Sequence, residues 1–544
     1  MVLTMSTIPP DPTSKFRPGA KVAVIGAGIS GVTAAAHLLR QGLQVTVYER
    51  SSIAGGVWHY DERTPEDPSY PSNTPSVGDY HLSTPGEFSY STPPPDSLHQ
   101  EDLESLPTKT DDALPVRFSP PGPCYAGLRN NVPTSLMVSV LDSWPAGTEE
   151  QTNQINLERY IQMISRNHGV DQVTRYDTRV DEVKKTDDGR RWSIRTITLD
   201  RRRGVPQLVE RYEEFDGVVV ASGHYNLPRI PDTPGLSEWK ARFGERVMHS
   251  KQYRKAEKYM GKNILVVGAG VSSTDISREL GEVANKIYQS ARGGLFDLPE
   301  TLLPGIGERV GEVERYVIGD GHDGSGFGEG EHIPGMVVLK DGRELRDIDV
   351  VILATGYITS YPFLRQLHDD QISATEAGPE VLVTADGEMC HNLHKDIFYI
   401  PDPSLSFVGV PYHVATFSLF DFQSQIVARV FAGKAILPSE DEMRKEYEDR
   451  VREKGAGRSF HSLRNEGGEV RYVNNLVVWA NRDAGRLGVE LMQGHTQRWL
   501  DGQIAMKEKM KKLLEGDKEI ANQVFVSGKK KAPLSVQEPA TVVA

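Results

Sequence analysis

The sequence predicts an α/β protein with two Rossmann-like dinucleotide-binding domains, the first discontinuous and the second, smaller one inserted into it. Three observations predict it. The β-branched run Lys21-Val-Ala-Val-Ile25 ends at Gly26-Ala27-Gly28-Ile29-Ser30-Gly31 and opens into a helix-forming stretch that reaches Arg40. A second run, Lys262-Asn-Ile-Leu-Val-Val267, meets Gly268-Ala-Gly270 about 240 residues later. Two further apolar runs, 215–222 and 347–354, end in small residues, as strands returning between two such domains need to.

In the first unit, Gly26 permits the tight turn, Gly28 lets the backbone approach a pyrophosphate, and Gly31 lets the helix pack close to the strand. The helix N-terminus offers free N–H groups and a positive dipole end to phosphates. Gln44-Val-Thr-Val-Tyr48 is the second strand, and Glu49 closes it, where a carboxylate accepts hydrogen bonds from ribose hydroxyls. Gly55-Gly56-Val57-Trp58 follows, placing flexible backbone and a flat aromatic beside the bound group. From about Thr64 to Pro121 the chain is rich in Pro, Ser, Thr, Asp and Glu, which predicts a long flexible insertion. Order returns at Tyr125, with Asn130, Asn131 and Val132 in a turn-like stretch ahead of Pro133. A helix is expected over about 157–167. Strands around 180–183, 192–197 and 212–215 then read as an antiparallel meander turning at Asp187-Asp188-Gly189.

The second unit carries Ser272-Ser273-Thr274-Asp275 at its helix start. Its second strand ends in Ser290 rather than an acid, with Arg292 two residues on. A carboxylate there would repel a ribose 2′-phosphate, whereas Ser290 and Arg292 would accept one, so the second ligand reads as NADP(H). A hairpin is expected around Asp341-Gly342, then a strand ending at Ala354-Thr355-Gly356-Tyr357, and helical segments to about Glu519.

Composition bounds the rest. The chain has 544 residues, a net charge of −13 and two cysteines, Cys124 and Cys390. The acidic balance argues against nucleic acid or an anionic membrane as partner. The cysteines support neither a disulfide framework nor a thiolate metal site, and no cluster has metal-ligand spacing. No run of about 18 apolar residues occurs, so no transmembrane anchor is expected. Residues 1–18 lack a signal-peptide pattern, and a cytoplasmic protein is the simplest expectation. The sequence leaves the oligomeric state open and is compatible with a homodimer.

Two dinucleotides on one chain usually exchange electrons between a flavin and a nicotinamide, which makes FAD and NADPH the expected cofactors. The expected domains are a disordered N-terminus (1–20), a first part of the FAD-binding domain (21–230), the NADP-binding domain (231–345), a second FAD part with C-terminal helices (346–520), and a tail (521–544). The absence of C-x-x-C disfavours a dithiol as electron acceptor and leaves dioxygen.

Over roughly 21–60 and 115–443 the chain resembles the flavin-containing monooxygenases, class B flavoprotein oxygenases. The family's G-x-G-x-x-G matches Gly26–Gly31, its ribose-binding acid Glu49, and its Gly-Gly-x-Trp Gly55–Trp58. Its Leu-x-Thr-Asn segment matches Leu128–Asn131, with Asn130 at the Thr. Its Ser-Gly-Thr-Asp matches Ser272–Asp275, with Ser273 at the Gly, and its Ala-Thr-Gly-Tyr matches Ala354–Tyr357. The F-x-G-x-x-x-H-x-x-x-(Y/F) fingerprint falls on Phe243–Tyr253 with His249 in register, but Glu245 occupies the glycine slot. The resemblance implies that NADPH reduces FAD and that dioxygen adds to the flavin C4a. The resulting hydroperoxide, shielded by bound NADP⁺, is attacked by a soft nitrogen or sulfur of a small-molecule substrate. It makes Asn131 the candidate catalytic residue, holding hydroperoxide and nicotinamide by hydrogen bonds, against the plainer reading of an Asx-turn ahead of Pro133. Related Baeyer–Villiger enzymes tend to end the fingerprint in Trp, so Tyr253 favours heteroatom oxidation. A Baeyer–Villiger oxygenase and a non-oxygenating flavoprotein reductase are the alternatives.

Overall fold

The computed structural model describes residues 19–72, 74–80, 114–201, 207–294, 296–319, 328, 330–465 and 467–515. Strand Lys21–Ile25 sits inside a seven-stranded sheet ordered Leu393–His394, Phe398–Tyr399, Leu405–Phe407, Gly217–Val220, Lys21–Ile25, Gln44–Tyr48, Thr174–Arg175. The five strands from Leu405–Phe407 to Thr174–Arg175 run parallel. Parallel strands covered on both faces need apolar residues at successive positions, and Val22, Ala23 and Val24 are fully buried. Their alternation sorts the two faces. Val22 and Val24 meet helix Ile29–Arg40 and helix Thr416–Phe431, while Ala23 and Ile25 meet Val180, Trp192 and Phe215 of an antiparallel meander. That meander, Thr178–Lys185, Trp192–Asp200 and Gln207–Phe215, turns at Gly189 as expected.

The second sheet has five parallel strands in the order Gly307–Val310, Lys286–Ser290, Asn263–Val267, Val350–Leu353, Val247–His249. Helix Val271–Leu280 follows its Gly268-Ala-Gly270 turn. The boundary expected at 345/346 therefore moves. Val350–Leu353 does not return to the first sheet but pairs in register with Asn263–Val267 on one side and Val247–His249 on the other. Both sheets offer an equally apolar slot, and local pattern cannot choose between them. The chain then crosses back as a two-stranded antiparallel ribbon, Tyr357–Ile358 against Leu227–Pro228.

The insertion expected to be flexible over about 64–121 is packed at both flanks. Leu114 and Phe118 of the short helix Leu114–Phe118 are buried against Ile197, Leu199 and Leu208. The Tyr80 hydroxyl donates to Val180 O at 2.7 Å. A few apolar anchors in a polar stretch suffice for this. Residues 81–113 lie outside the described residues, as do the N-terminal 1–18 and the tail beyond 515. After the last strand come helices Thr416–Phe431, Glu440–Lys454, Gly468–Arg482, Ala484–Leu487 and Gln497–Leu514.

A Cβ placed on Gly31 would stand 1.8 Å from Gly26 O, so no side chain fits between the helix and the strand end. Gly31→Ala is expected to lower stability by at least about 1–3 kcal/mol, the usual cost of overpacking. A urea midpoint equal to that of the parent chain would contradict this packing.

Candidate functional site

Both glycine turns open on one cavity of about 3150 Å³, lined among others by Gly26, Gly28, Ile29, Ser30, Glu49, Trp58, Asn131, Gly268, Gly270, Ser272, Arg292 and Gly356. Drug-sized ligands occupy roughly 300–1,000 Å³. The space can therefore take more than one large group.

The first wall is an uncapped helix start. Helix Ile29–Arg40 has Gly28 as its N-cap with no side-chain cap and no acid in its first turn. The first helical bond comes from Val32 N to Gly28 O at 2.9 Å, which leaves the amides ahead of it without helical acceptors. Gly56, at φ 56°, faces Gly28 so closely that a Cβ on it would lie 2.8 Å from Gly28 Cα. Uncapped amides in a cradle that a methyl would fill fit an anionic group. Helix Val271–Leu280 begins the same way, on Gly270, uncapped and with no acid in its first turn.

Glu49 is buried and does more than the sequence suggests. Its Oε2 accepts from Ala27 N at 2.7 Å, and its Oε1 accepts from Ser51 N at 2.9 Å and Ser51 Oγ at 2.8 Å. A carboxylate has about four acceptor sites, so roughly one remains for a ligand hydroxyl. Ala27 and Gly31 are inside the fold rather than on the cavity wall, while Val57 and Trp58 are on it. Trp58 meets Phe417 edge to face at 6.4 Å.

Adjacent asparagines divide their tasks. Asn130 is buried, and its Nδ2 donates to Val132 O and Glu150 O, both at 2.7 Å, while its Oδ1 accepts from Thr152 N at 2.6 Å. That amide holds the loop. Asn131 is exposed on the cavity wall and its side chain makes no hydrogen bond among the described residues, so the Asx-turn is not formed.

Several expected ligand residues of the second unit have their polar side chains engaged within the chain. The Ser273 hydroxyl donates to Gly268 O and accepts from Gln289 Nε2 at 2.6 Å, away from the cavity. Ser290 is buried and donates to Gly311 O at 2.9 Å. The Thr355 hydroxyl donates to Arg229 O. Asp275 accepts from the Tyr125 hydroxyl across the domain boundary, and burial raises its carboxyl. Ser272, Thr274, Asp275, Ser290, Arg292 and Thr355 line the cavity, and Arg292 is exposed with no ion pair among the described residues.

Two features were missed by sequence reasoning. Arg50 lines the cavity and bridges Asp79 Oδ2 at 3.0 Å and Asn226 Oδ1 at 2.9 Å. Lys251 joins them, donating to Asn226 O at 2.6 Å, and burial pushes its ammonium down to about 8. Only the acid-then-arginine pair at 49–50 hinted at this, because the partners lie far along the chain. The second is the role of His249, which the sequence places only within the fingerprint. The imidazole is fully buried, its Nδ1 accepts from Lys251 N at 3.1 Å, and so its Nε2–H donates to Gly356 O at 3.0 Å. The fingerprint histidine thus holds the Ala354–Tyr357 turn.

The flavin-binding monooxygenase-like family model matches residues 139–303 and 331–483, and a model of FAD-dependent oxidoreductases matches residues 21–67, the first cradle. A flavin-containing monooxygenase of Aspergillus flavus, ustF2, is 41% identical over 511 residues, covering 90% of this chain and 97% of that one. The chain belongs to the flavin-containing monooxygenase family. Another relative in this monooxygenase family, iboF of Amanita muscaria, is 29% identical over 86% of the chain and 89% of its own length. Among solved structures, S-allyl-L-cysteine S-oxygenase from Allium sativum shares the fold at TM-score 0.63 and 23% identity, covering 93% of this chain and 99% of that one. Cyclohexanone monooxygenase shares it more distantly, at TM-score 0.51 and 13% identity over 86% and 98%. The cofactor of this flavin-dependent monooxygenase is FAD, and the first cradle fits it. Among the described residues no helix is long and apolar enough to cross a membrane.

Burial holds His249 down to about 3 from an ordinary 6.5. The unfolded chain therefore binds a proton below about 6.5 that the folded chain refuses, and this contribution to stability falls with pH by up to ~1.4 kcal/mol per unit. The stability gap between the parent and His249→Gln is expected to be widest near pH 7 and to narrow toward pH 4. A gap constant across that range in urea titrations would remove the neutral, hydrogen-bonded imidazole.

Proposed function

We propose that this monooxygenase uses NADPH and dioxygen to place one oxygen atom on a soft nucleophilic nitrogen or sulfur of a small organic molecule, the second oxygen leaving as water. The observation that carries this reading is the shared cavity. Both glycine turns and the free amide of Asn131 face one space, which hydride transfer between two dinucleotides requires. Bound FAD supplies the redox and oxygen chemistry. The chain supplies position and exclusion of water.

In this reading the amides of Ile29 and Ser30 take the flavin pyrophosphate between Gly28 and Gly56, and the remaining lone pair of Glu49 takes a ribose hydroxyl. Val57, Trp58 and Val132 shape the wall beside the ring system, and Asn130 fixes the loop that carries Asn131. The start of Val271–Leu280, with Ser272 and Thr274, takes the nicotinamide pyrophosphate. Ser290 has its hydroxyl engaged, so Arg292 alone selects the 2′-phosphate. Asn131 can donate and accept without changing charge, which suits a group that orients ligands through a redox cycle.

Purified protein is expected to consume dioxygen with NADPH and to convert methyl phenyl sulfide to its sulfoxide or N,N-dimethylaniline to its N-oxide. Ester formation from cyclohexanone instead would favour the Baeyer–Villiger reading, and no dioxygen uptake with any of these would overturn both. Arg292→Ala is expected to raise KM for NADPH about tenfold or more, roughly 1.4 kcal/mol, while leaving KM for NADH nearly unchanged. Equal changes for both would take its role away. A Cβ on Gly28 would stand 3.5 Å from Gly56 Cα, an ordinary contact, so Gly28→Ala keeps the fold. Its flavin content per chain is expected to fall, and normal content would contradict the pyrophosphate placement.

A further inference from the structure

The C-terminal helix Gln497–Leu514 lies beyond the residues matched by the family model, yet it forms part of the cavity wall. Gln503, Met506, Lys507 and Met510 all line the cavity, at the i, i+3, i+4, i+7 spacing of a single helical face. The helix is fixed beside the loop that carries Asn131. Trp499 is buried against Leu136, and its Nε1 donates to Leu136 O at 3.0 Å. A Cβ on Gly502 would stand 3.2 Å from Cδ2 of the same leucine.

Opposite this face stands Glu469, 6% exposed and also on the cavity wall. Its two oxygens accept from Ala415 N at 3.2 Å, and Gln503 Nε2 donates to Oε2 at 3.4 Å. Those donors are neutral, and among the described residues no cation pairs with it. Burial accordingly pushes the carboxyl up to about 7, with Lys507 acting the other way from a distance too great for an ion pair. Lys507 is half-buried and likewise has no ion-pair partner among the described residues. A carboxylate and an ammonium thus face one cavity without meeting, with two flexible thioethers, Met506 and Met510, beside them. Capping the helix at Ala415 accounts for the position of Glu469, but a glutamine would do that equally well and would not carry an unmatched buried charge.

We propose that Glu469 and Lys507 form a substrate subsite for a zwitterion, the carboxylate taking an ammonium and the lysine a carboxylate, so that the preferred substrates are amino-acid derivatives bearing a soft sulfur or nitrogen in the side chain. This rests on the oxygenase reading above. The methionines accept the apolar part of the side chain because thioethers adapt to varied shapes.

The test is calorimetric binding to the FAD-loaded protein, which needs no turnover. The probes are S-methyl-L-cysteine, 2-(methylthio)ethylamine, which lacks the carboxylate, and 3-(methylthio)propanoic acid, which lacks the ammonium. The parent is expected to bind the amino acid at least about tenfold tighter than either half. Glu469→Gln is expected to erase its advantage over the acid. Lys507→Met, on a half-buried position, is expected to erase its advantage over the amine. Flavin content and melting temperature report whether each variant is folded, and Lys507→Met decides the matter if Glu469→Gln is not. Equal binding of the three probes by the parent, or failure of all three to bind, overturns the subsite. Sulfoxidation of methyl phenyl sulfide, run alongside, separates that failure from failure of the oxygenase reading, which alone would abolish it.

Discussion

The structure depends on how closely a helix can be brought to the end of a strand. At Gly31 the backbone of helix Ile29–Arg40 lies against Gly26 O, and Gly26, at φ 105°, turns there because a Cβ on it would lie 2.6 Å from Ala221 O. This contact aims an uncapped helix start at the cavity and fixes the strand that divides the first sheet. A second copy of the constraint, Gly268 against Ala354 O, organises the inserted sheet. Any side chain at these points would push the cradles away from the groups they exist to hold.

The parts of this arrangement that are local in sequence were legible before the structure. A turn such as Gly26–Gly31 carries its own reason, because the strand, the turn and the helix are written within twenty residues. The meander and the Asp341-Gly342 hairpin are legible for the same reason. What could not be read depends on partners far along the chain. Val350–Leu353 is as apolar as Gly217–Val220, and only pairing decides which sheet it joins. Ser273, Ser290 and Thr355 sit in ligand motifs, yet their hydroxyls find backbone carbonyls first. Asn130 and Asn131 look interchangeable, but one is held by Glu150 and Thr152 from a neighbouring segment and the other is left open to the cavity.

The electrostatics follow a consistent division. Groups that hold the fold together are matched inside the chain. Asp396 is bracketed by Arg450 and by His461, and the Arg450 guanidinium together with the hydrogen bonds from both holds its carboxyl far below the usual range. Asp421 accepts from Ser139 and pairs with His37, joining helix Thr416–Phe431 to helix Ile29–Arg40. On the cavity wall Glu49 and Arg50 are matched in the same way, whereas Asn131, Arg292 and Glu469 are matched less completely. Such incomplete matching inside a low-dielectric wall costs stability, and it concentrates where ligands can complete it.

The ribbon formed by Leu227–Pro228 and Tyr357–Ile358 has an evolutionary reading. The nucleotide-binding insert leaves and rejoins its host at neighbouring rungs of one ladder. Seen from the host sheet, more than a hundred residues amount to an oversized hairpin loop. Such a module can be acquired, lost or exchanged without reordering a single host strand, because its two ends were never apart.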